Sequence, residues 1–381
     1  DIAGARIFLD GDDGDTKTAD THSIQKNSGS CVPPRPPIPH TRLVSALRGA
    51  FRHRDFRPGQ LWAIRRTLAG HNSLLVAPTA LGKSLCYALP ALLLPGIVVV
   101  ISPLLSLMDD QMRNLPPRLP AVALGGTMSA KDVALAVQDI RMGRTKILFL
   151  SPERACGPAF RRLLTGSAGF PEVSVLCVDE AHTVSQWSHN FRPAFMRLRR
   201  AAALMRPRAI LALTATATPG VAADVCRTLG IPEGRADGCY DDGAEADPDP
   251  GAGVKIMGSD RDNIDVAARI FDDDDARRRI LFQMLCPSPE AGDGDDEKKA
   301  DDCFRPGCLS AGSVIVYVWR KFDAEALREQ LLAVGVPGGV VFYHGGMPSA
   351  DRAGAQSKFI RGKARVCVAT VAFGMGIDKA D

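Results

Sequence analysis

Five short apolar runs constrain the fold of this chain more than any other feature of its sequence. Each run is apolar at odd and even positions alike and is followed by a longer amphipathic stretch. Strands that are apolar on both faces are typical of a parallel sheet with helices covering each side. The spacing of the runs predicts an α/β domain over residues 41–229. The runs occupy residues 74–77, 97–102, 147–151, 173–179 and 210–216.

A second alternation of the same kind occupies the last part of the chain. It predicts a further α/β domain over residues 313–381, which we expect to be truncated. Together the two patterns predict parallel sheets covered by helices on both faces. The predicted strands are residues 313–318, 340–344 and 365–371, and the predicted helices are residues 322–334 and 349–361.

Two segments lack any such pattern. Residues 1–40 mix Asp, Gly, Ser and Pro without apolar periodicity, which predicts a disordered lead-in. Residues 230–312 are rich in Asp, Gly, Pro and Glu, with acidic runs at 272–275 and 293–297. We interpret residues 230–312 as a linker between the domains, enlarged by poorly ordered acidic inserts.

Composition excludes some classes of protein. The formal net charge of the 381 residues is only +4, so a nucleic-acid surface would have to be local. No apolar stretch reaches the ~20 residues that span a bilayer, so we expect no membrane segment. The ten cysteines are irregularly spaced, which favours reduced thiols over a disulfide framework. Cys303 and Cys308 form a lone pair without two further ligands nearby, so we predict no zinc site.

The segment LLVAPTALGKS predicts a phosphate-binding loop. A buried strand and a loop precede Lys83 and Ser84, which open an apolar helix. Backbone N–H groups and the positive helix end bind phosphate in this arrangement. Lys83 would contact the β and γ phosphates of ATP, and Ser84 would ligate Mg2+. The other residues predicted to line the nucleotide are Pro78, Thr79, Ala80, Leu81 and Gly82.

Ala80 departs from the usual pattern of such loops, which commonly carry glycine there. A methyl group at this position would resist a positive φ or crowd the phosphates. We therefore expect Ala80 to affect the turnover rate more than the identity of the site.

Two adjacent acids, Asp179 and Glu180, stand at the end of the apolar run at residues 173–179. They stand at the sheet edge where open parallel sheets place their ligands. Asp179 would hold Mg2+, and Glu180 would orient and deprotonate the attacking water. An ordinary solvated turn is the alternative, and Lys83 and Ser84 upstream argue against it. With the next two residues the acids spell DEAH.

The motifs together resemble superfamily 2 helicases, specifically the RecQ family. The segment FRPGQ at residues 56–60, with Phe51 before it, resembles the RecQ motif in which an arginine and a glutamine meet adenine. The resemblance implies that role for Arg57 and Gln60. The same residues suit an ordinary helix start at Pro58, and their position ahead of the phosphate loop favours the motif. The resemblance also implies that both domains have the RecA-like fold of P-loop NTPases.

Three further segments resemble family elements that meet DNA. Segments 101–111 and 150–153 look like parts of the DNA track, which implies phosphate contacts for Ser102 or Ser106 and places Glu153 with the catalytic residues. Segment 183–193, TVSQWSHNFRP, resembles the aromatic-rich loop particular to RecQ proteins. Its side chains would stack on bases and pass the presence of DNA to Glu180. They are Gln186, Trp187, His189, Phe191 and Arg192.

The polar residues inside that loop bear on its interpretation. If Trp187 and Phe191 were simple core residues, the Ser, His and Asn between them would be poor core material. We therefore favour the DNA-contacting role.

Two coupling elements complete the resemblance. LTATA at residues 213–217 resembles motif III, which implies coupling roles for Thr214 and Thr216. ATVAFGMGIDK at residues 369–379 resembles motif V, in which Thr370 would touch DNA phosphate. The residues that would face the nucleotide from motif V are Gly374, Gly376 and Asp378. The amino-acid sequences of several motifs look closest to the Rothmund-Thomson type of RecQ protein.

The resemblance implies an ATP- and Mg2+-dependent DNA helicase that moves 3' to 5', acts in replication, recombination and repair, and resides in the nucleus. The arginines of the family's motif VI would lie beyond Asp381, so we expect this chain to bind ATP and hydrolyse it poorly. A DEAH-type RNA helicase or RNA-stimulated ATPase is one alternative, against which FRPGQ and the aromatic-rich loop argue. A catalytically weak nucleic-acid-binding scaffold is the other, suggested by Ala80 and the truncation.

Overall fold

Two parallel sheets organise the part of the chain that the structure describes. The first contains seven strands in the order β3-β4-β2-β5-β6-β1-β7, and the second contains three in the order β8-β10-β9. The strands are β1 (Ser73–Val76), β2 (Ile97–Ile101), β3 (Ala121–Leu124), β4 (Ile147–Leu150), β5 (Val173–Val178), β6 (Ala209–Thr214), β7 (Val254–Ile256), β8 (Val314–Tyr317), β9 (Val340–Tyr343) and β10 (Val366–Ala369). The structure is a computed structural model, and it describes residues 37–79, 81–103, 105–125, 128–166, 169–185, 197–236, 249, 251–258, 264–286 and 304–373.

Helices connect most of these strands. A short 3-10 helix, η1 (Ala181–Val184), follows β5. The α-helices are α1 (His40–Phe51), α2 (Gln60–Ala69), α3 (Leu85–Leu93), α4 (Leu105–Arg113), α5 (Ala130–Arg141), α6 (Pro152–Ala155), α7 (Pro158–Thr165), α8 (Leu198–Met205), α9 (Pro219–Leu229), α10 (Asp274–Leu285), α11 (Lys321–Ala333) and α12 (Ser349–Ile360).

The first sheet is buried on both faces. One face packs against α1 to α4 through side chains such as Leu47 and Met108. The opposite face packs against α5 to α9 through side chains such as Ile140 and Val225. Burying one such side chain completely stabilises the fold by about 1.5–3 kcal/mol. The predicted α/β class, with a parallel sheet between helical layers, is confirmed.

The second sheet repeats this arrangement on a smaller scale. Leu285 of α10 and Leu331 of α11 pack on one face. Phe359 of α12 packs on the other face against Cys367. Strand β10 lies between β8 and β9 and is buried along its whole length.

The structure corrects the prediction that residues 230–312 form only a linker. Strand β7 pairs in parallel with β1 and adds an edge strand to the first sheet. Met257, directly after β7, packs against the core of that sheet. Three residues of strand are too short to show an alternating or continuous apolar pattern, which is why the composition of the segment concealed them. The boundaries at residues 229 and 313 remain predictions.

The acidic run at residues 272–275 begins helix α10 instead of an unstructured insert. Asp273 caps the helix by accepting a hydrogen bond from the backbone N–H of Ala276 at 2.5 Å. Asp274 pairs with Arg277 one turn later at 2.9 Å. Acidic residues in a first turn stabilise a helix because they cap free N–H groups and meet the positive end of its dipole. The second acidic run, residues 293–297, and residues 1–36 of the predicted lead-in lie outside the described residues.

None of the helices in the described ranges combines the length and the apolar character that a membrane span requires.

Candidate active site

Three neighbouring strands of the first sheet end at one edge and bring separate motifs together. Strands β5, β6 and β1 are adjacent and parallel, so their carboxyl ends lie at the same edge. The phosphate loop follows β1, the two acids follow β5, and the Thr214–Thr216 segment follows β6. Open parallel sheets bind their ligands at this edge.

The ammonium group of Lys83 lies against the phosphate loop. Its Nζ donates to the carbonyl oxygen of Ala77 at 3.0 Å and to that of Pro78 at 3.2 Å. Burial lowers the pKa of Lys83, while the carboxylates of Glu180 and Asp179 oppose this shift. A partly buried cation therefore stands near both acids, where it can meet the charge of a phosphate.

At one point of the phosphate loop, the backbone makes a turn that only glycine fits. Gly82 has a φ of +75°, and a Cβ there would lie 3.0 Å from Nε2 of Gln60. Ser84 is exposed at the start of α3, while Pro78 and Leu81 are partly buried and Thr79 is exposed. Ala80 lies outside the described residues.

Gln60 ties the FRPGQ segment to the phosphate loop. Its Nε2 donates to the carbonyl oxygens of Leu81 at 2.8 Å and Gly82 at 3.0 Å. Its Oε1 accepts from the backbone N–H of Arg57 at 2.8 Å. Because both amide hydrogens are used, Gln60 holds the loop here and has no further hydrogen to offer adenine. Arg57 is exposed, and Phe51 packs partly buried against the core of the sheet.

Asp179 is held from two sides at the end of β5. Its Oδ1 accepts from the backbone N–H of Glu180 at 3.0 Å, and its Oδ2 accepts from Nε2 of Gln111 at 3.1 Å. Burial raises the pKa of Asp179 to about 6, and the charge of Glu180 adds to the rise. These hydrogen bonds and the charge of Lys83 oppose it. A buried carboxylate that is costly to ionise gains from a bound cation.

The donors at this edge fit Mg2+. The carboxylate of Asp179 and the hydroxyl of Ser84 supply oxygen, the ligand atom that Mg2+ prefers. In nucleotide sites this ion is held by one or two carboxylates together with substrate phosphates. Within the described ranges, no group of three His, Cys, Asp or Glu side chains could hold a metal. A donor set of one carboxylate and one hydroxyl suits a site that is shared with phosphates.

A chain of close contacts links Glu180 to the segment after β6. Glu180 has a left-handed backbone with φ 50° and ψ 46°, which is uncommon for a residue other than glycine. Nδ1 of His182 lies 3.3 Å from Oε2 of Glu180 and 2.9 Å from Oγ1 of Thr214. The Thr214 hydroxyl donates to the carbonyl oxygen of Thr216 and accepts from its N–H, both at 3.2 Å. A displacement of Thr216 can therefore reach the Glu180 carboxylate through two side chains.

The structure separates the residues predicted to meet DNA into different environments. Ser102 is 0% exposed, so its hydroxyl is not accessible to DNA in this structure. Thr370 is 8% exposed after β10, whereas Thr216 and Glu153 are exposed. The side chain of Ser106 is outside the described part. So are Gln186, Trp187, His189, Phe191, Arg192, Gly374, Gly376 and Asp378.

Two residues at the site received no individual role from the sequence. The sequence identifies His182 only as the last letter of DEAH, and its contact with Thr214 depends on the adjacency of β5 and β6. Gln111 shares a helical face with Met108 and Met112, at spacings of three and one residues. A polar residue within an inward-facing apolar stripe is the signal that could have identified it.

Known proteins match this chain over most of its length. The DEAD/DEAH box helicase family matches residues 57–225, and the helicase conserved C-terminal domain matches residues 304–381. The human ATP-dependent DNA helicase Q4 is 37% identical over 349 residues, which cover 86% of this chain and 25% of that protein. The ATP-dependent DNA helicase RecQ of Bacillus subtilis is 32% identical over 343 residues, which cover 89% of this chain and 50% of that protein. The chain belongs to the RecQ family of helicases.

Membership of the RecQ family confirms the resemblance that the motifs indicated. A solved structure of the DUF1998 helicase MrfA bound to DNA superposes with a TM-score of 0.59 at 17% identity, covering 91% of this chain and 47% of that one. That likeness shows a shared fold. The chain spans between a quarter and a half of the length of the two RecQ relatives. Its assignment to the Rothmund-Thomson type remains a prediction, because relatives with different names match at similar identities.

Proposed function

We propose that this protein is an ATP-dependent DNA helicase motor that uses Mg2+. One observation carries the proposal: Lys83, Asp179 and Glu180 lie at a single sheet edge, and Glu180 is linked to the segment after β6. The names of the RecQ relatives, which describe ATP-dependent DNA helicases, support the choice of DNA and ATP. Movement from 3' to 5', a role in replication, recombination and repair, and a nuclear location belong to the proposal as expectations from the family.

The nucleotide half of the proposal assigns a task to each residue at the edge. Lys83 and the N–H groups at the start of α3 bind the phosphates. Asp179 and Ser84 would hold Mg2+, which when bound neutralises charge on the phosphates. Glu180 orients the attacking water and accepts its proton. His182 fixes the direction of the Glu180 carboxylate through its contact at 3.3 Å.

The contacts on either side of Glu180 support the DNA half of the proposal. Thr214 and Thr216 connect one side of the site to His182. On the other side, Ser185 is anchored to α9 because its Oγ donates to Oδ2 of Asp224 at 2.8 Å. The side chains of segment 183–193 that are predicted to contact bases begin at the next residue, Gln186. DNA on this segment would thus act close to the residue that activates water.

The test compares ATP hydrolysis by the full-length protein with and without single-stranded DNA. DNA should raise the rate manyfold, and Trp187→Ala should remove that rise while ATP still binds. Trp319→Ala is the matched control, because Trp319 is 91% exposed and lies on the second sheet's domain. A stronger response to single-stranded RNA would indicate an RNA helicase. ATP binding without a response to either nucleic acid would indicate a scaffold.

A further inference from the structure

We propose that Gln111 is a positioning residue for the metal ligand Asp179, and that it ties helix α4 to the site of Mg2+. The inference rests on the proposed function, because it concerns how Asp179 is held for the ion. It gives helix α4 a role at the hydrolysis site, whereas the sequence placed this segment only along DNA.

The hydrogen bond between these residues has a defined direction. Oδ2 of Asp179 lies 3.1 Å from Nε2 of Gln111. An ionised carboxylate only accepts hydrogen bonds, so the amide nitrogen must face it and the amide oxygen must face away. The backbone N–H of Glu180 occupies the other carboxylate oxygen at 3.0 Å. With one donor on each oxygen, the carboxylate is fixed in rotation and each oxygen keeps a lone pair for a cation or a water.

Packing fixes Gln111 in turn. Met108 is 0% exposed in the core, and Met112 packs against the same core cluster. Residues 108, 111 and 112 share one face of a helix, so anchoring the methionines directs Gln111 inward. On the outer side, Arg113 pairs with Asp110 at 3.6 Å.

A second observation concerns the other end of the amide. Oε1 of Gln111 is buried and accepts no hydrogen bond from any described residue. A buried acceptor left unpaired costs about 1–3 kcal/mol. The structure thus keeps the amide nitrogen toward Asp179 at the cost of an unpaired buried oxygen.

Losing a partner that orients a metal ligand typically lowers metal affinity or activity by about 10- to 100-fold. Among the described residues, the hydrogen bond of Gln111 goes to Asp179, whereas Lys83 donates to the phosphate loop at Ala77 and Pro78. Removing the amide of Gln111 should therefore lower the affinity for the metal ion. Nucleotide binding in the absence of metal should not change. Removing a residue that only supported the fold would weaken both metal binding and nucleotide binding.

The experiment measures Mn2+ binding to the ADP complex by electron paramagnetic resonance, with Mn2+ as the probe for the Mg2+ site. Gln111→Met keeps the length of the side chain and its fit beside two methionines but removes the donor and the acceptor. Gln111→Leu is the second variant. Arg113→Ala, on the outer side of the same helix, is the control. ADP affinity in EDTA and the melting temperature are measured for every protein.

We expect both Gln111 variants to bind Mn2+ about tenfold more weakly than the wild type, the lower end of the range for such partners. ADP affinity in EDTA should not change, and Arg113→Ala should match the wild type in both measurements. Wild-type Mn2+ affinity in Gln111→Met would overturn the inference. An equal loss of ADP affinity in EDTA would also overturn it, because the role would then be structural. If the wild type with ADP binds no Mn2+, the proposed function itself fails and the inference fails with it.

Discussion

His182 and Thr214 form a buried hydrogen bond of 2.9 Å between the segments that follow β5 and β6. The Thr214 hydroxyl donates its hydrogen to the carbonyl oxygen of Thr216. The hydrogen between His182 and Thr214 therefore belongs to Nδ1 of the imidazole. The same nitrogen lies 3.3 Å from Oε2 of Glu180. One N–H group therefore faces both the acid that we propose activates water and the segment predicted to couple the two domains.

Thr214→Val should uncouple this pair while keeping the shape of the side chain. The buried Nδ1–H of His182 would lose one acceptor, which we expect to lower the free energy of unfolding by about 1–3 kcal/mol. DNA-stimulated ATP hydrolysis should fall about tenfold, as expected for ~1.4 kcal/mol lost at the transition state. ATP affinity should not change, because Lys83 and the phosphate loop remain intact. Denaturant unfolding, steady-state hydrolysis and nucleotide titration measure these three quantities.

Thr165→Val is the matched control for this substitution. The Thr165 hydroxyl donates to the carbonyl oxygen of Arg161 at an exposed position at the end of α7. It should leave hydrolysis unchanged. A fall in ATP affinity that parallels the fall in rate for Thr214→Val would contradict a coupling role.

Asp179 should make the stability of the ligand-free protein depend on pH. Its pKa is raised from 3.8 to about 6 by burial first and by Glu180 second. The folded state thus holds this proton more tightly than the unfolded state. Above pH 6 the ionised Asp179 side chain therefore lowers the free energy of unfolding. This destabilisation decreases as the pH falls through 6 and disappears near pH 4.

Asp179→Asn removes the buried charge and reveals this cost. In EDTA at pH 8 the variant should be more stable by up to about 3 kcal/mol, since each pKa unit corresponds to ~1.4 kcal/mol. Gln111 can turn its amide so that Oε1 accepts from the new Asn side chain, which preserves the hydrogen bond. Urea unfolding of both proteins at several pH values tests the sign. A stability difference that stays constant between pH 8 and pH 4 would refute the assignment.

The sequence predicted the interior of the first sheet and missed its edges. Strands β2, β4, β5, β6 and β1 are buried on both faces, so each leaves a continuous apolar run. Strands β3 and β7 occupy the two edges and are partly exposed or very short. An edge strand needs fewer apolar residues, so its local pattern is weak. The pairing of β7 with β1 joins residues that are far apart in the chain and have no local signal.

The candidate site was predictable as a set of motifs but not as a set of contacts. Lys83, Asp179 and Glu180 follow apolar runs, and the rule that ligands bind at strand ends was enough to predict their convergence. The contact of Gln111 with Asp179 depends on how α4 lies over the sheet. A sequence does not specify that orientation locally, because side-chain pairs of this kind form only when distant elements pack.

Helix α10 provides a test of the correction to the linker prediction. Asp273→Ala removes the side chain that caps this helix through the N–H of Ala276. The loss of such a cap typically costs about 0.5–2 kcal/mol. We expect a lower melting temperature with unchanged ATP affinity. Asp265→Ala, in an exposed segment without regular structure, is the control. Equal melting temperatures for the two variants would favour the original linker interpretation.

Gln60 allows two roles to be separated by experiment. By resemblance this residue meets adenine, whereas in the structure it donates to the carbonyl oxygens of Leu81 and Gly82. Gln60→Glu removes both hydrogens and places a carboxylate against the two carbonyl groups. Each hydrogen bond contributes about 0.5–1.5 kcal/mol, so the loss of two should weaken nucleotide binding by about tenfold.

The decisive comparison is between ATP and GTP, whose phosphates are identical and whose bases differ. If Gln60 acts by holding the phosphate loop, the dissociation constants of both nucleotides should rise by the same factor, because the loop contacts only their shared phosphates. If Gln60 acts by recognising adenine, only ATP should bind more weakly, and the preference for ATP should disappear. Gln138→Glu, an exposed change of the same kind on α5, should leave both constants unchanged. A loss confined to ATP would therefore assign Gln60 to the base and would require its amide to leave the carbonyl groups when nucleotide binds.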